Sequence, residues 1–471
     1  MNAALKIISP VDGSVYAERP LADDKTVLDT LKRARAAQLV WREVPVAERT
    51  KIATAFTDAM VADKARVSEA LTWQMGRPIR YGPGEVRGFE ERARAMIAIA
   101  AATLADIDVG PKERFTRFIR REPLGVVLNL PAWNFPYMTA LNAVLPAIIA
   151  GNTVVMKHSS QTALVAEHFA DCFKKASLPN DVFQVLHMSH DATHRAISSG
   201  LVDQVGFTGS TGGGRAVMAS VAAAPNFPAT CLELGGKDPA YVRPDANIAF
   251  AAENIVDAGY FNSGQSCCAM ERIYVHEAVY DRFVEAAVAV INRYQLGSPT
   301  DEATTLGPVV RTKAADFIRG QVAQAIAGGA RPLIDASRFP AAKAGTPYLA
   351  PQLLADVDHS MAIMMEETFG PAHGVMKVKS DAEAIRLMND SPYGLTGSVW
   401  TEDGDAAKAI GDKLQAGTVY MNRADYLDPA LAWVGVKESG RGATLSRVGY
   451  EHLTRPKSFH LRTMTGQEQS A

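Results

Sequence analysis

The sequence predicts an α/β fold divided among more than one domain, and three observations carry that expectation. The chain has 471 residues, past the size at which a single hydrophobic core usually keeps growing. From Gly125 onward, short apolar runs of strand length alternate with longer helical patterns, the mark of parallel sheets covered by helices. Two further segments, 114–122 and 457–463, alternate basic with apolar residues, as half-exposed strands do.

In chain order, residues 1–20 read as extended segments and turns, with Asp12 and Gly13 marking a hairpin. Asp23 or Asp24 can cap a helix that carries Leu28, Leu31 and Ala34 at helical spacing. One long helical pattern runs over 46–75 and is closed by Gly76 and Pro78. Another covers 85–105. The alternating segments at 114–122 and 457–463 have edges that must be covered or paired, and together they are expected to form a small sheet reaching another subunit. Strands follow at 125–130, 152–156 and 202–207, with an apolar helix at 140–150 between the first two. Ligands of open α/β sheets collect at the carboxyl ends of the strands, which here hold 131–136, 157–160 and 208–214. A strand at 240–242 leads into a helix at 246–258, with Gly259 placed to end it. A second α/β region opens with a strand at 272–275 and a helix at 279–294. Helices near 312–327, 381–389 and 404–415 and strands near 394–400 and 417–422 complete it.

Composition excludes several roles. Lys and Arg number 49 against 51 Asp and Glu, for a net charge of −2, and no long run of one sign occurs. That argues against nucleic-acid and membrane-surface partners. No apolar stretch is long enough to span a bilayer, and the first ten residues lack a signal-peptide core, so a soluble, cytoplasmic protein is expected. The four cysteines, two of them adjacent, suit neither a disulfide framework nor a zinc-ligand spacing, and no metal site is expected.

The chemistry gathers around residues 261–269. Cys267 and Cys268 follow the small polar run Ser263, Gly264, Gln265 and Ser266, whereas a thiol used only for packing usually sits among aliphatic residues. Such a loop lets a substrate reach sulfur. Upstream stand Asn134 in an aromatic–proline loop, Lys157 at a strand end, and Glu233 beside Gly235 and Gly236. A Gly-rich turn from Gly209 to Gly214 opens a helix, where free backbone N–H groups can hold a phosphate. On its own it is a weak dinucleotide signal, because it lacks the second glycine of the usual fingerprint. Downstream, Glu366 and Glu367 precede the tight turn at Phe369, Gly370 and Pro371.

Taken together, Trp133-Asn134-Phe135-Pro136, the turn from Phe207 to Gly214, Glu233 with Gly235, Gly236 and Lys237, Gly264-Gln265-Ser266-Cys267, and Glu367 through Pro371 closely resemble the aldehyde dehydrogenase superfamily. The resemblance extends over about residues 5–462. It implies oxidation of an aldehyde to a carboxylate with NAD or NADP, through a covalent cysteine adduct and a thioester. It also implies a Rossmann-like NAD(P)-binding domain at 1–113 and 123–235 and an α/β catalytic domain at 236–435. Oligomerisation segments at 114–122 and 436–471 would build a homodimer or homotetramer. By resemblance Cys267 is the nucleophile, Glu233 the general base and Asn134 the oxyanion donor. Lys157 and Glu367 match positions that hold the cofactor ribose hydroxyls, and Ser210 matches a pyrophosphate contact. Trp133, Ser160, Gly209 and Phe369 are the further cofactor-side positions.

Several positions depart from the family pattern. Ala132 stands where many members have proline, and His158 and Ser160 replace a common Pro and Glu. Ser160 would remove the repulsion that a Glu presents to the 2′-phosphate of NADP, with His158 adding attraction only when protonated. Trp433 keeps an aromatic facing the substrate, while Val434 replaces a glycine. Phe135, Met138 and Trp433 suggest an apolar tunnel, and Arg423 is the residue expected near its mouth to pair with a carboxylate-bearing aldehyde. Neutral aldehydes and semialdehydes both stay open. A CoA-acylating member and a noncatalytic member of the fold are the alternatives, and retention of Glu233, Cys267 and Asn134 favours hydrolytic oxidation.

Overall fold

A computed structural model describes residues 4–464. Residues 1–3 of the expected cofactor domain and 465–471 of the expected C-terminal segment lie outside the described residues. Strands Ala4–Ile8 and Val15–Pro20 form the N-terminal hairpin, with Gly13 at φ 78° in its turn. Asp23 caps helix Asp24–Trp41, its carboxylate accepting the Thr26 amide at 2.8 Å.

Two large sheets organise the rest. The first has six strands in the order Gly440–Arg441, Ala229–Glu233, Gln204–Thr208, Val126–Leu130, Thr153–Met156 and Phe183–Val185. Its first pair is antiparallel and the others are parallel. Every residue of Val126–Leu130 and Thr153–Met156 is buried, as expected of parallel strands covered on both faces. The second sheet has seven strands in the order Arg331–Pro332, Gln352–Ala355, Ala372–Val378, Met270–His276, Asp238–Val242, Thr396–Trp400 and Thr418–Met421. All its neighbours are parallel except the first pair.

The segments Phe115–Pro123 and Thr454–Arg462 pair antiparallel along their length, from Pro123 opposite Thr454 to Phe115 opposite Arg462. Phe118 stacks on Phe459 with ring centroids 4.4 Å apart. Ile107–Asp108 adds a third strand on the far side of Phe115–Pro123. Among the described residues, no helix is long and apolar enough to cross a membrane.

Some elements differ from expectation. The helical pattern over 46–75 is two helices, Val46–Ala62 and Lys64–Met75, parted at Asp63. The Asp63 carboxylate is drawn aside by Lys175 Nζ at 2.7 Å and His168 Nε2 at 3.2 Å. Gly259 does not end its helix, which continues to Tyr260. It is needed for close approach, since a Cβ there would lie 3.0 Å from His373 Nε2, a ring nitrogen that donates to the Gly259 carbonyl at 2.6 Å. Strand Ala372–Val378 carries His373 and Gly374 within it, so it shows no apolar run in the sequence. The C-terminal stretch expected only to oligomerise also lends Gly440–Arg441 to the six-stranded sheet.

Candidate active site

The loop bearing the two cysteines is strained and heavily braced. Helix Ile248–Tyr260 ends at Phe261, and Asn262, Ser263 and Gly264 follow with φ of 54°, 57° and 72°. Left-handed backbone costs a non-glycine residue about 1–2 kcal/mol, so such a loop persists only where its surroundings impose it. Asn262 Nδ2 donates to the carbonyls of Asn134 and Gln265 at 3.1 and 3.2 Å. Ser263 Oγ donates to the Gly307 carbonyl at 2.8 Å, and Gln265 Oε1 accepts the Val310 amide at 2.7 Å. At Gly264 a Cβ would lie 2.3 Å from the Gly370 carbonyl oxygen. The cysteine loop and the turn after Glu367 therefore touch backbone to backbone.

The adjacent thiols have different surroundings. Cys268 is buried, and its Sγ donates to Asp425 Oδ1 at 2.9 Å, beside Ser266 Oγ at 2.8 Å. The neighbouring Cys267 thiol and burial push the Cys268 thiol well above its ordinary range, which suppresses the reactive thiolate. Cys267 is half-buried and lines two cavities.

Glu233 ends strand Ala229–Glu233. Its Oε2 accepts from Thr208 Oγ1 at 3.2 Å and its Oε1 from Thr444 Oγ1 at 2.5 Å. Burial raises its pKa, against the pull of those two threonines and of Arg92. Asn134 lies in the loop before helix Pro136–Ile149, its Nδ2 donating to the Gln265 carbonyl at 3.2 Å. The Asn134 carbonyl accepts from Arg77 Nη2 at 2.6 Å, and Arg77 Nε donates to Asn262 Oδ1 at 3.0 Å. Arg77 is itself buried against Glu85, whose Oε1 accepts the Tyr137 amide at 3.0 Å. One buried ion pair thus braces both the Asn134 loop and the cysteine loop.

A cavity of about 390 Å³ approaches these groups from one side, walled by Phe135, Met138 and Trp433 as expected, and also by Arg77 and Arg92. A second of about 300 Å³ is lined by Trp133, Gly209, Ser210, Glu367 and Phe369. Asn134, Thr208, Glu233 and Cys267 belong to both.

The lining of the second cavity suits the phosphates of a dinucleotide. Ser210 caps helix Thr211–Ala222, whose first backbone N–H groups form a ready anion site. Glu367 Oε1 accepts the Gly236 amide at 3.0 Å, and burial, followed by the Glu271 charge, pushes its pKa up to about 8. Phe369 meets Trp133 edge-on at 5.4 Å. The turn is fixed by Glu271, which accepts the amides of Thr368 and Phe369, each at 2.8 Å, and is paired with Lys237 at 2.5 Å.

Lys157 and Ser160 line neither cavity. They lie at the carboxyl end of Thr153–Met156, Lys157 half-buried and Ser160 exposed at the start of the turn Ser160–Thr162. One expectation needs correction here. His158 cannot add attraction for a phosphate, because it is turned inward. Its Nε2 donates to the Pro136 carbonyl at 3.1 Å and its Nδ1 accepts from Thr162 Oγ1 at 3.1 Å. Burial brings its pKa down to about 4, so the ring stays neutral. Arg423 does not line the tunnel; it is exposed and stacks on the wall residue Tyr426, 3.7 Å from the ring centroid.

The cavity's arginines are Arg77 and Arg92, which no motif marks. Arg92 had a legible signal, since it falls on the stripe of Phe89, Met96 and Ala100 in helix Gly82–Leu104, where apolar residues are the rule. Thr444, which holds Glu233, had none.

Residues 2–459 match the family model described as the aldehyde dehydrogenase family. A succinate-semialdehyde dehydrogenase [NADP(+)] of Mycobacterium avium (strain 104) is 32% identical over 454 residues, covering 96% of this chain and 95% of the relative. Succinate semialdehyde dehydrogenase [NAD(P)+] Sad of Escherichia coli (strain K12) is 32% identical, covering 94% of each. Among solved structures, an NADP-dependent glyceraldehyde-3-phosphate dehydrogenase from Bacillus halodurans C-125, complexed with NADP, superposes with a TM-score of 0.91 at 30% identity. That match covers 98% of this chain and 96% of the other.

Proposed function

The chain belongs to the aldehyde dehydrogenase family and is an NAD(P)-dependent aldehyde dehydrogenase, and from that premise we propose that Cys267, Glu233 and Asn134 carry the oxidation. The observation that supports this most directly is the junction of the two cavities at these side chains. The Cys267 thiolate attacks the aldehyde carbon, forming a C–S bond and placing negative charge on the carbonyl oxygen. Asn134 Nδ2 and the Cys267 backbone N–H donate to that oxygen, a contribution for which one donor is worth about 10²–10³ in rate. NAD or NADP, when bound, supplies the hydride-accepting nicotinamide. Glu233 takes a proton from water, and the hydroxide so formed displaces Cys267 from the thioester and releases the carboxylate. Its raised pKa brings it nearer the operating pH of a general base.

Ser210 and the helix behind it hold the pyrophosphate in this reading. Glu367 and Lys157 hold ribose hydroxyls, while Trp133, Gly209 and Phe369 form walls. Ser160 admits either cofactor. Two unit charges about 4 Å apart cost roughly 4 kcal/mol at an effective dielectric near 20, a repulsion that a Glu at 160 would impose on the 2′-phosphate. The names of the two relatives, one NADP(+) and one NAD(P)+, support use of both. They also favour a carboxylate-bearing aldehyde over a neutral one.

The test follows NAD(P)H absorbance with a panel of aldehydes, with and without CoA. Turnover without CoA is expected. Turnover that requires CoA would assign the acylating reaction instead. Wild type should use NAD and NADP within about tenfold in kcat/KM, about 1.4 kcal/mol, and Ser160→Glu should lose NADP selectively. An unchanged ratio removes Ser160 as the selector.

A further inference from the structure

Arg92 is a buried cation with no ion-pair partner among the described residues. It projects from helix Gly82–Leu104, is only 8% exposed, and lines the cavity that contains Cys267. Among the described residues its guanidinium makes one hydrogen bond, Nη1 to Asn142 Oδ1 at 3.4 Å, and no ion pair. Four of the cavity's five acids are already engaged. Glu85 is paired with Arg77, and Glu233 is held by Thr208 and Thr444. Asp425 accepts from Ser266 and Cys268, and Glu91 accepts from the Tyr426 hydroxyl at 2.6 Å. A guanidinium removed from water without a partner is costly, and its planar fork of donors matches a carboxylate.

Resting on the aldehyde dehydrogenase reading, we infer that Arg92 receives the carboxylate at the far end of a semialdehyde whose aldehyde carbon reaches Cys267. A monoanion suits the site better than a phosphate dianion. The cavity's other cation, Arg77, is committed to Glu85, while Glu91, Asp257 and Asp425 share the walls. Those acids make a cationic aldehyde the competing occupant.

The experiment compares kcat/KM for succinate semialdehyde, butanal, 4-aminobutanal and glyceraldehyde 3-phosphate in wild type, Arg92→Met and Arg92→Lys. Wild type should prefer succinate semialdehyde. In Arg92→Met its advantage over butanal should fall roughly 10- to 100-fold, as for loss of a charged hydrogen-bonding partner, with the loss read mainly in KM. Arg92→Lys keeps the charge and should retain part of the advantage. Calorimetry should show succinate binding weakened in the same order. An unchanged ratio in Arg92→Met, or a wild-type preference for 4-aminobutanal or the phosphate, overturns the role of Arg92 and leaves aldehyde oxidation standing. Absence of turnover with all four aldehydes overturns the underlying reading and this inference with it.

Discussion

At the scale of the residue, two neighbouring thiols are separated by their partners. Cys268 spends its proton on Asp425 while Cys267 opens onto both cavities. Cys267→Ala should therefore abolish aldehyde oxidation and Cys268→Ala should leave most of it, measured as NAD(P)H formation, and the reverse pattern would reassign the nucleophile. Glu233→Gln should slow turnover by roughly 10²–10⁴, the usual general-base contribution, and leave an acyl group on Cys267 visible as a mass shift. Because burial raises the Glu233 pKa, wild-type turnover should fall on the acid side at a pH above the ordinary Glu value of about 4.3. His158 gives a stability test with a definite sign. Its folded pKa lies near 4 against 6.5 when free, so between those values the unfolded chain binds a proton that the folded chain refuses, and stability drains as pH falls. His158→Gln removes that term, so the stability of wild type minus variant should decline from pH 6.5 to 4 in denaturant titrations. The positions proposed for catalysis stood out in the sequence, Cys267 behind a small polar run, Glu233 beside two glycines and Asn134 in an aromatic–proline loop. Arg77 did not, because it lies in a loop between two helices and only tertiary packing buries it, while Arg92 showed only as a charge on an apolar stripe.

At the scale of the element, the cysteine loop depends on a glycine. The left-handed φ of Gly264 and its contact with the Gly370 carbonyl leave no room for a side chain. Gly264→Ala should cost about 3 kcal/mol or more, combining backbone strain with overpacking, and should lower both Tm and activity. Wild-type melting and turnover in that variant would show that the two loops do not depend on each other. The legible elements were those with a compact apolar run or a regular helical spacing, such as Val126–Leu130. The break at Asp63 was hidden because Asp is acceptable on a helix surface, and its role emerges only when Lys175 and His168 arrive from a distant helix. Ala372–Val378 was hidden because His373 serves a neighbouring helix instead of looking like part of a strand.

At the scale of the whole molecule, strand Thr454–Arg462 is the end of a three-stranded sheet among the described residues, and most of its residues are exposed. An open edge of that length invites pairing with another copy, so a homodimer or a pair of dimers is expected. Light scattering at micromolar concentration should give two or four times the chain mass, and a monomer mass would overturn this. The α/β class with its parallel sheets was legible in broad outline from strand–helix alternation, but the return of Gly440–Arg441 to the six-stranded sheet carries no local signal in a stretch of two residues. On the proposed roles, the meeting of the two cavities at Asn134, Thr208, Glu233 and Cys267 would make substrate choice and cofactor choice separately heritable. Drift at Phe135, Met138 or Trp433 would then retune which aldehyde a lineage consumes, drift at Ser160 would retune which nicotinamide pool it draws on, and neither lineage would have to rebuild the chemistry between them.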